Sequence, residues 1–333
     1  MRTFKRIIGV IVITGVFVVG CDSLTDSVSD ENKSLQSSEG ITSNLSLSQC
    51  HDTGVGLTAN YINESPNGSF DVNCDIGIYF NEDGNIRGAT LNGTVDGAKS
   101  VQYGIYIDGA DVKITNTSVS VVGDYPHQFI SVAYINGASG TLSKSELSGA
   151  HRVGLLVRGG DTNVKVRGNK IIGTGAKTSG WAENGVQVDQ GAVVNFTNND
   201  VADHWWDGES NWASTGVMLN GADNSSVTNN TFTDNEFSAF VIGDDNSFKS
   251  NKTSSDVVSE SSFDFVAWGV LLLGANNDIT GNRLTATDGG AGIYIYPGSE
   301  GNKLTGNRIS GFASPIVDGG VDTKDRGNPS VFN

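Results

Sequence analysis

Ile78-Tyr-Phe-Asn81, Ile105-Tyr-Ile-Asp108, Ala133-Tyr-Ile-Asn136, Leu155-Leu-Val-Arg158, Val186-Gln-Val-Asp189 and Val217-Met-Leu-Asn220 are one short phrase, repeated. Phe240-Val-Ile-Gly243, Val270-Leu-Leu-Leu273, Ile293-Tyr-Ile-Tyr296 and Pro315-Ile-Val-Asp318 continue the series. First residues lie 27, 28, 22, 31, 31, 23, 30, 23 and 22 positions apart. A floor of 22 with occasional surplus marks a solenoid whose coils carry loops on a fixed circumference. Each phrase alternates apolar and other residues, the period of a strand with one buried face. One such strand per coil stacks in parallel, and right-handed connection is the strong default.

A second ladder sets the register. Asn169, Asn199, Asn230, Asn251, Asn282 and Asn307 fall 11 to 14 residues after their phrases. Asn tolerates the left-handed backbone that a sharp corner needs, and amides stacked at strand spacing bond to one another. From each Asn to the next phrase the count is 17, 18, 10, 19, 11 and 8. The variable length therefore sits on one side of the coil, where a repeat protein often binds.

The Asn-x-apolar corners and the 22-residue coil resemble the right-handed parallel β-helix proteins typified by pectate lyases, over roughly residues 75–320. The resemblance implies an all-β, single-stranded parallel β-helix of about ten coils. It does not imply one activity, because the fold carries lyases, glycosidases, epimerases, adhesins and plain scaffolds. The catalytic elements of polygalacturonases, of the main pectate lyase group and of alginate epimerases are absent; Asp124-Tyr-Pro-His127 comes near the last, but its Tyr interrupts the element.

Arg2, Lys5 and Arg6 precede an apolar run, Ile7 to Val19, that ends at Gly20-Cys21. A basic start, a short apolar core and a small residue describe a secretory signal over residues 1–20. Val18-Val-Gly-Cys21 resembles a bacterial lipobox, which implies lipidation of Cys21; an ordinary signal with an incidental Cys is the alternative. Residues 21–48 are Ser-rich and nearly free of aromatics, as expected of a flexible tether. A lipid anchor is the expected membrane contact, in the periplasm or at the cell surface. Cys50 and Cys74 remain, and in an exported protein they are expected to pair, clamping an N-terminal cap over residues 49–74. Residues 319–333 are expected to close the other end or to trail off from it.

The net charge of −16 argues against a nucleic-acid partner. It also disfavours anionic polysaccharide unless cations or a basic patch intervene. A monomer is expected. Asp244-Asp-Asn246 and Asn276-Asn-Asp278 are candidate calcium turns, although Asp and Asn make turns without metal.

Trp181, Trp205, Trp206, Trp212 and Trp268 all precede a phrase, in the longest insertions. Trp suits stacking on sugar rings, and coils rise by roughly 4.8 Å, so these insertions are expected to wall one groove. Its floor is read from the outward phrase positions: Tyr106, Tyr134, Gln187, Asp108, Asn136 and Asn220 among them. His127, His151 and His204 lie on the same side. For an enzyme acting on uronic acid chains, Arg158 is placed to hold the carboxylate, His204 or His151 to take a proton, and Asp189 to orient the Arg. A plain Arg158–Asp189 ion pair is the bland alternative. Three classes follow: a lipoprotein that binds extracellular polysaccharide, with or without cleaving it as a lyase or glycosidase, a non-catalytic glycan-binding module, and a structural β-helix.

Overall fold

The computed structural model describes residues 49–93, 101–121, 128–178, 180–208, 213–257 and 267–331. The expected signal, Cys21, the tether, His127 and Trp212 lie outside them. The described chain is a parallel β-helix with no helical segment. Each coil runs through a first strand, a second strand and a third strand before climbing to the next. The second strands form a continuous ten-stranded sheet from Gly84–Arg87 to Lys324–Arg326. The first and third strands pair with their counterparts one coil away, in parallel throughout. Inward Val, Ile, Leu and Phe from every coil merge into one core running from Val72 to Phe312. The variable segments join third strands to first strands, as the Asn counts predict.

Pairing shifts three of the ten phrases by one residue. Ile105 faces Val132 rather than Ala133, Val217 faces Ala239 rather than Phe240, and Ile293 faces Ile316 rather than Pro315. The cause is that the first two of these strands are apolar on both faces, as in Val132-Ala-Tyr-Ile135, so alternation does not mark the inward residue. A slip of one inverts every side chain. Tyr134 is therefore not on the groove floor. It is fully buried in the core, and its hydroxyl donates to the Val112 carbonyl at 3.0 Å.

The Asn ladder is continuous. Each Nδ2 donates to the next Oδ1, from Asn169 through Asn199, Asn230, Asn251, Asn282 and Asn307 to Asn328, at 2.9–3.2 Å. The same Oδ1 atoms accept the backbone N–H of the preceding rung. The left-handed corner residue is the one before the ladder Asn: Gly168, Asn198, Asn229, Ser250, Gly281, Gly306 and Gly327 all have positive φ. The ladder Asn instead fills a buried polar shelf with its amide. Asn246, Asn277 and Asn302 build a second, shorter ladder. This accounts for the two candidate calcium turns: Asn246 and Asn277 point inward, and Asp278 meets Lys249 at 3.0 Å and Lys303 at 3.4 Å. Among the described residues, no group of three or more His, Cys, Asp or Glu side chains is placed to hold a metal ion.

Cys50 and Cys74 are joined in a disulfide, Cα to Cα 5.7 Å. Residues 49–74 are more than a cap. Thr58–Ile62 pairs with Ile76–Phe80, and Gly68–Val72 with Ala89–Gly93, so this segment supplies solenoid strands. Only His51–Asp52, antiparallel to Thr58–Ala59, turns back over the end. At the far end, Lys324–Arg326 and Asn328 carry sheet and ladder past residue 320.

Candidate functional site

The outer face of the first-strand column falls into three zones. In the early coils it is apolar: Ile76, Tyr79, Tyr103, Ile130, Ala133 and Leu156 form a buried cluster of their own. In the middle it is polar. In the late coils it is aromatic, with Phe237, Phe240, Trp268, Tyr294 and Tyr296 in ring contact.

The polar zone is a connected network. Arg158 donates to Asp189 twice, from Nε at 2.8 Å and from Nη2 at 2.7 Å. Gln187 donates to Asp189 at 2.9 Å and accepts from Asn184 at 3.2 Å. Asn184 in turn accepts from Thr215 N and Oγ1 at 3.2 and 3.0 Å. Gln187 and Asp189 are buried, which removes Gln187 from direct contact with a ligand. Asp189 takes up two of the three Arg158 guanidinium nitrogens. Bidentate pairing of this kind is among the stronger side-chain interactions.

His204 is placed elsewhere. It is fully buried, with Nδ1 2.9 Å from Glu183 Oε1 and Nε2 3.4 Å from the Ile171 carbonyl. Two glycines give the pair its room: a Cβ on Gly185 would stand 2.8 Å from His204 Nε2, and one on Gly173 2.7 Å from Glu183 Oε1. Thr174 donates to the other Glu183 oxygen at 2.8 Å. His151 is also buried, and its carbonyl accepts from Lys177 Nζ at 2.8 Å. Burial pushes the Lys177 ammonium down to about 8, with Glu183 opposing and Arg152 adding to the fall. Both histidines are buried, and the His204 ring is engaged by Glu183 and the Ile171 carbonyl.

Among the described residues, Trp205, Trp206 and Trp268 are strand residues and Trp181 is not. Asp200–Trp206 is a third strand lengthened to pair with Lys170–Lys177, and its last two residues point to opposite faces. Trp206 is buried, 3 % exposed, with its ring against Gly208 and its backbone N–H 3.1 Å from Glu236 Oε2; Trp205 stays half-buried. Trp206 is therefore packing, not a stacking surface. Trp181 is half-buried, with the Arg152 guanidinium 5.7 Å from its ring centre. Trp268 opens a first strand and joins the aromatic zone.

Tyr106 is half-buried between Tyr79 and Tyr103, and burial pushes its phenol up. Asp108 accepts from Tyr79 at 3.3 Å and from the exposed Asn136 at 2.8 Å. Asn220 is half-buried at the end of its strand. These residues edge the outer face over several coils without converging on one reacting point.

Two buried carboxylates escaped the sequence reading. Glu183 and Glu236 each stand three residues before an inward core residue, in a row that also holds Asp75, Gln102, Arg152 and Ser214. Glu236 Oε2 accepts from Ser214 N at 2.7 Å as well as from Trp206 N. Burial pushes Glu236 up to about 8, opposed by these two backbone hydrogen bonds. Counting back from the correct inward residue is the signal that reveals the row.

Residues 130–328 match the family described as right handed beta helix region. No curated protein is significantly similar to the chain. Among solved structures, it is similar to the A-module of an Azotobacter vinelandii mannuronan C-5 epimerase (16% identity, 76% of this chain and 90% of that one, TM-score 0.40). It is also similar to a DFA-IIIase from Arthrobacter chlorophenolicus (15% identity, 75% and 67%, TM-score 0.45) and to a Geobacillus virus E2 protein (12% identity, 77% and 53%, TM-score 0.33). These likenesses concern the scaffold alone.

Proposed function

The chain belongs to the right-handed β-helix family, and on this scaffold we propose an exported, lipid-anchored protein that binds extracellular polysaccharide along the outer face of its first strands. The observation that carries the reading is the aromatic zone. Trp268, Tyr294 and Tyr296 stand half-buried on neighbouring coils, where core packing has no use for them. Flat rings with one polar edge suit the C–H faces of sugars. The leader and Cys21 supply the route to the envelope.

Binding without cleavage is favoured over catalysis. Arg158 is engaged by Asp189, and His204 is sealed against Glu183. General acid–base work needs a proton-transfer group within reach of substrate, and these are turned away from it. The test is incubation of the full-length protein with neutral and uronic polysaccharides, with and without calcium. Retardation in a glycan-containing gel with no new reducing or unsaturated ends is expected. New chain ends would place the protein among the enzymes, and no interaction with any glycan would leave the structural class.

A further inference from the structure

We infer that the ligand of the aromatic zone is an uncharged polysaccharide, held by stacking rather than by ion pairing; this rests on the glycan-binding reading above. The rings form a ribbon along the solenoid axis. Phe237 and Trp268 lie 5.5 Å apart, Trp268 and Tyr294 5.3 Å, and Tyr294 and Tyr296 6.4 Å, centre to centre. Phe237, 4% exposed, backs Trp268 from the coil before, and Trp268 and Tyr294 come from successive coils, so the half-buried rings advance with the axis over two coils. Leu271 fills the place beside them, and no outward residue of these first strands carries a charge.

The ribbon is set in advance. Trp268 lies so close over Gly290 that a Cβ there would stand 2.4 Å from its Nε1. That glycine lets the indole lie flat on the coil. A ring held flat loses little freedom when a sugar stacks on it.

Charge decides the class of sugar. A uronic acid chain brings a carboxylate on every ring and needs cations along its path. On the middle coils, Arg158 is paired with Asp189, Arg152 sits over Trp181 and donates to the Ala182 carbonyl, and Lys177 donates to the His151 carbonyl. The whole chain carries −16. Along this strip an anionic polymer would find no cation, the exposed Lys252, Arg283 and Arg308 lying on the third strands, whereas a neutral one meets an uncharged surface that fits it. The sequence-based expectation of a uronic acid substrate gripped by Arg158 is set aside on these grounds.

The test uses native gels of the full-length protein in mild detergent, cast with hydroxyethylcellulose, xyloglucan or dextran, or with polygalacturonate or alginate. At least one neutral polymer is expected to retard the protein, equally at low and high sodium chloride, since stacking is not screened. Neither uronate should do so. Trp268→Ala and Tyr294→Ala should each weaken retardation about tenfold, the scale of one aromatic contact. Gly290→Val, which leaves every ring in place chemically but tilts the indole, should weaken it too. Unchanged melting curves separate these losses from unfolding, and Tyr296→Ala serves where Trp268→Ala destabilises. Salt-sensitive binding of a uronate alone would overturn the uncharged class while leaving glycan binding intact. Neutral binding that survives all four substitutions would move the site off the ribbon. A concentration-dependent dimer abolished by Tyr294→Ala would make the strip a contact between copies. Failure of every polymer would remove the glycan reading itself.

Discussion

Asp189 receives the guanidinium of Arg158 in two parallel hydrogen bonds across adjacent coils, with the carboxylate almost wholly buried and the arginine side chain 18% exposed. The pair is structural. Arg158→Ala leaves a buried carboxylate unpaired, and the variant should lose about 3 kcal/mol in urea denaturation, the lower end for a broken buried pair because the arginine is partly wet. Its affinity for glycan, per folded molecule, should not change. A variant of full stability that no longer binds would return Arg158 to the ligand.

Glu236 gives the protein a pH dependence of definite sign. Its folded value is raised to about 8 from 4.5, so the folded state holds the proton more tightly than the unfolded state. The stabilisation is therefore complete below about pH 4.5 and is lost as pH rises towards 8. Stability should fall across that window by an amount on the order of a few kcal/mol. Glu236→Gln keeps an oxygen for the Trp206 and Ser214 N–H groups and removes the titration. Its stability should vary less between pH 5 and 8, and an unaltered slope would assign the effect to another group.

Asn230 sits in mid-ladder with all of its amide engaged. Its Oδ1 serves both the Asn199 backbone N–H and side chain, and its Nδ2 reaches Asn251 and the Phe196 carbonyl. Asn230→Ala strands several buried groups at about 1–3 kcal/mol each, so a loss of about 4 kcal/mol is expected. Asn328→Ala, at the end of the ladder, should lose less than half of that. Equal losses at the two positions in thermal or urea melts would mean that the rungs act independently of burial.

Trp205 and Trp206 should part company. Trp206→Ala empties a buried site and should lower stability by about 3 kcal/mol or more. Trp205→Ala should leave the melt almost unchanged; if the glycan extends from the aromatic zone across coil 217, affinity should drop by about 1 kcal/mol. Reversal of the two phenotypes would contradict the assigned orientation of the strand.

The coil and the side of the insertions were legible in the sequence, because a repeat states its own period, whereas the left-handed corner falls one residue before the Asn that marks it. Register was legible only where one face of the strand is polar, as in Val186-Gln-Val-Asp189. In Val132-Ala-Tyr-Ile135 both faces are apolar, and alternation alone put Tyr134 on the wrong side. A better marker was present: Gly77, Gly104, Gly154, Gly185, Gly216, Gly269 and Gly292 each stand one residue before the inward position, with Ser131, Ser238 and Pro315 in the other coils. The site was less legible. Trp205 and Trp206 differ in burial because the third strand is longer there than its neighbours, and strand length is set by pairing with Lys170–Lys177, which composition does not display. The His204–Glu183 contact joins residues on adjacent coils through a corner, where sequence separation gives no clue to direction.

Hydrogen bonds between coils run along the solenoid axis, and this gives the protein a mechanical character. A pull along that axis loads the outermost coil first, instead of sharing the force over all coils at once. Coils of 22 to 31 residues would then be released as packets, each adding roughly 75 to 110 Å of contour. The amide rungs fasten each packet to the next coil, so slack is paid out stepwise and the remaining coils keep their shape while the end unwinds.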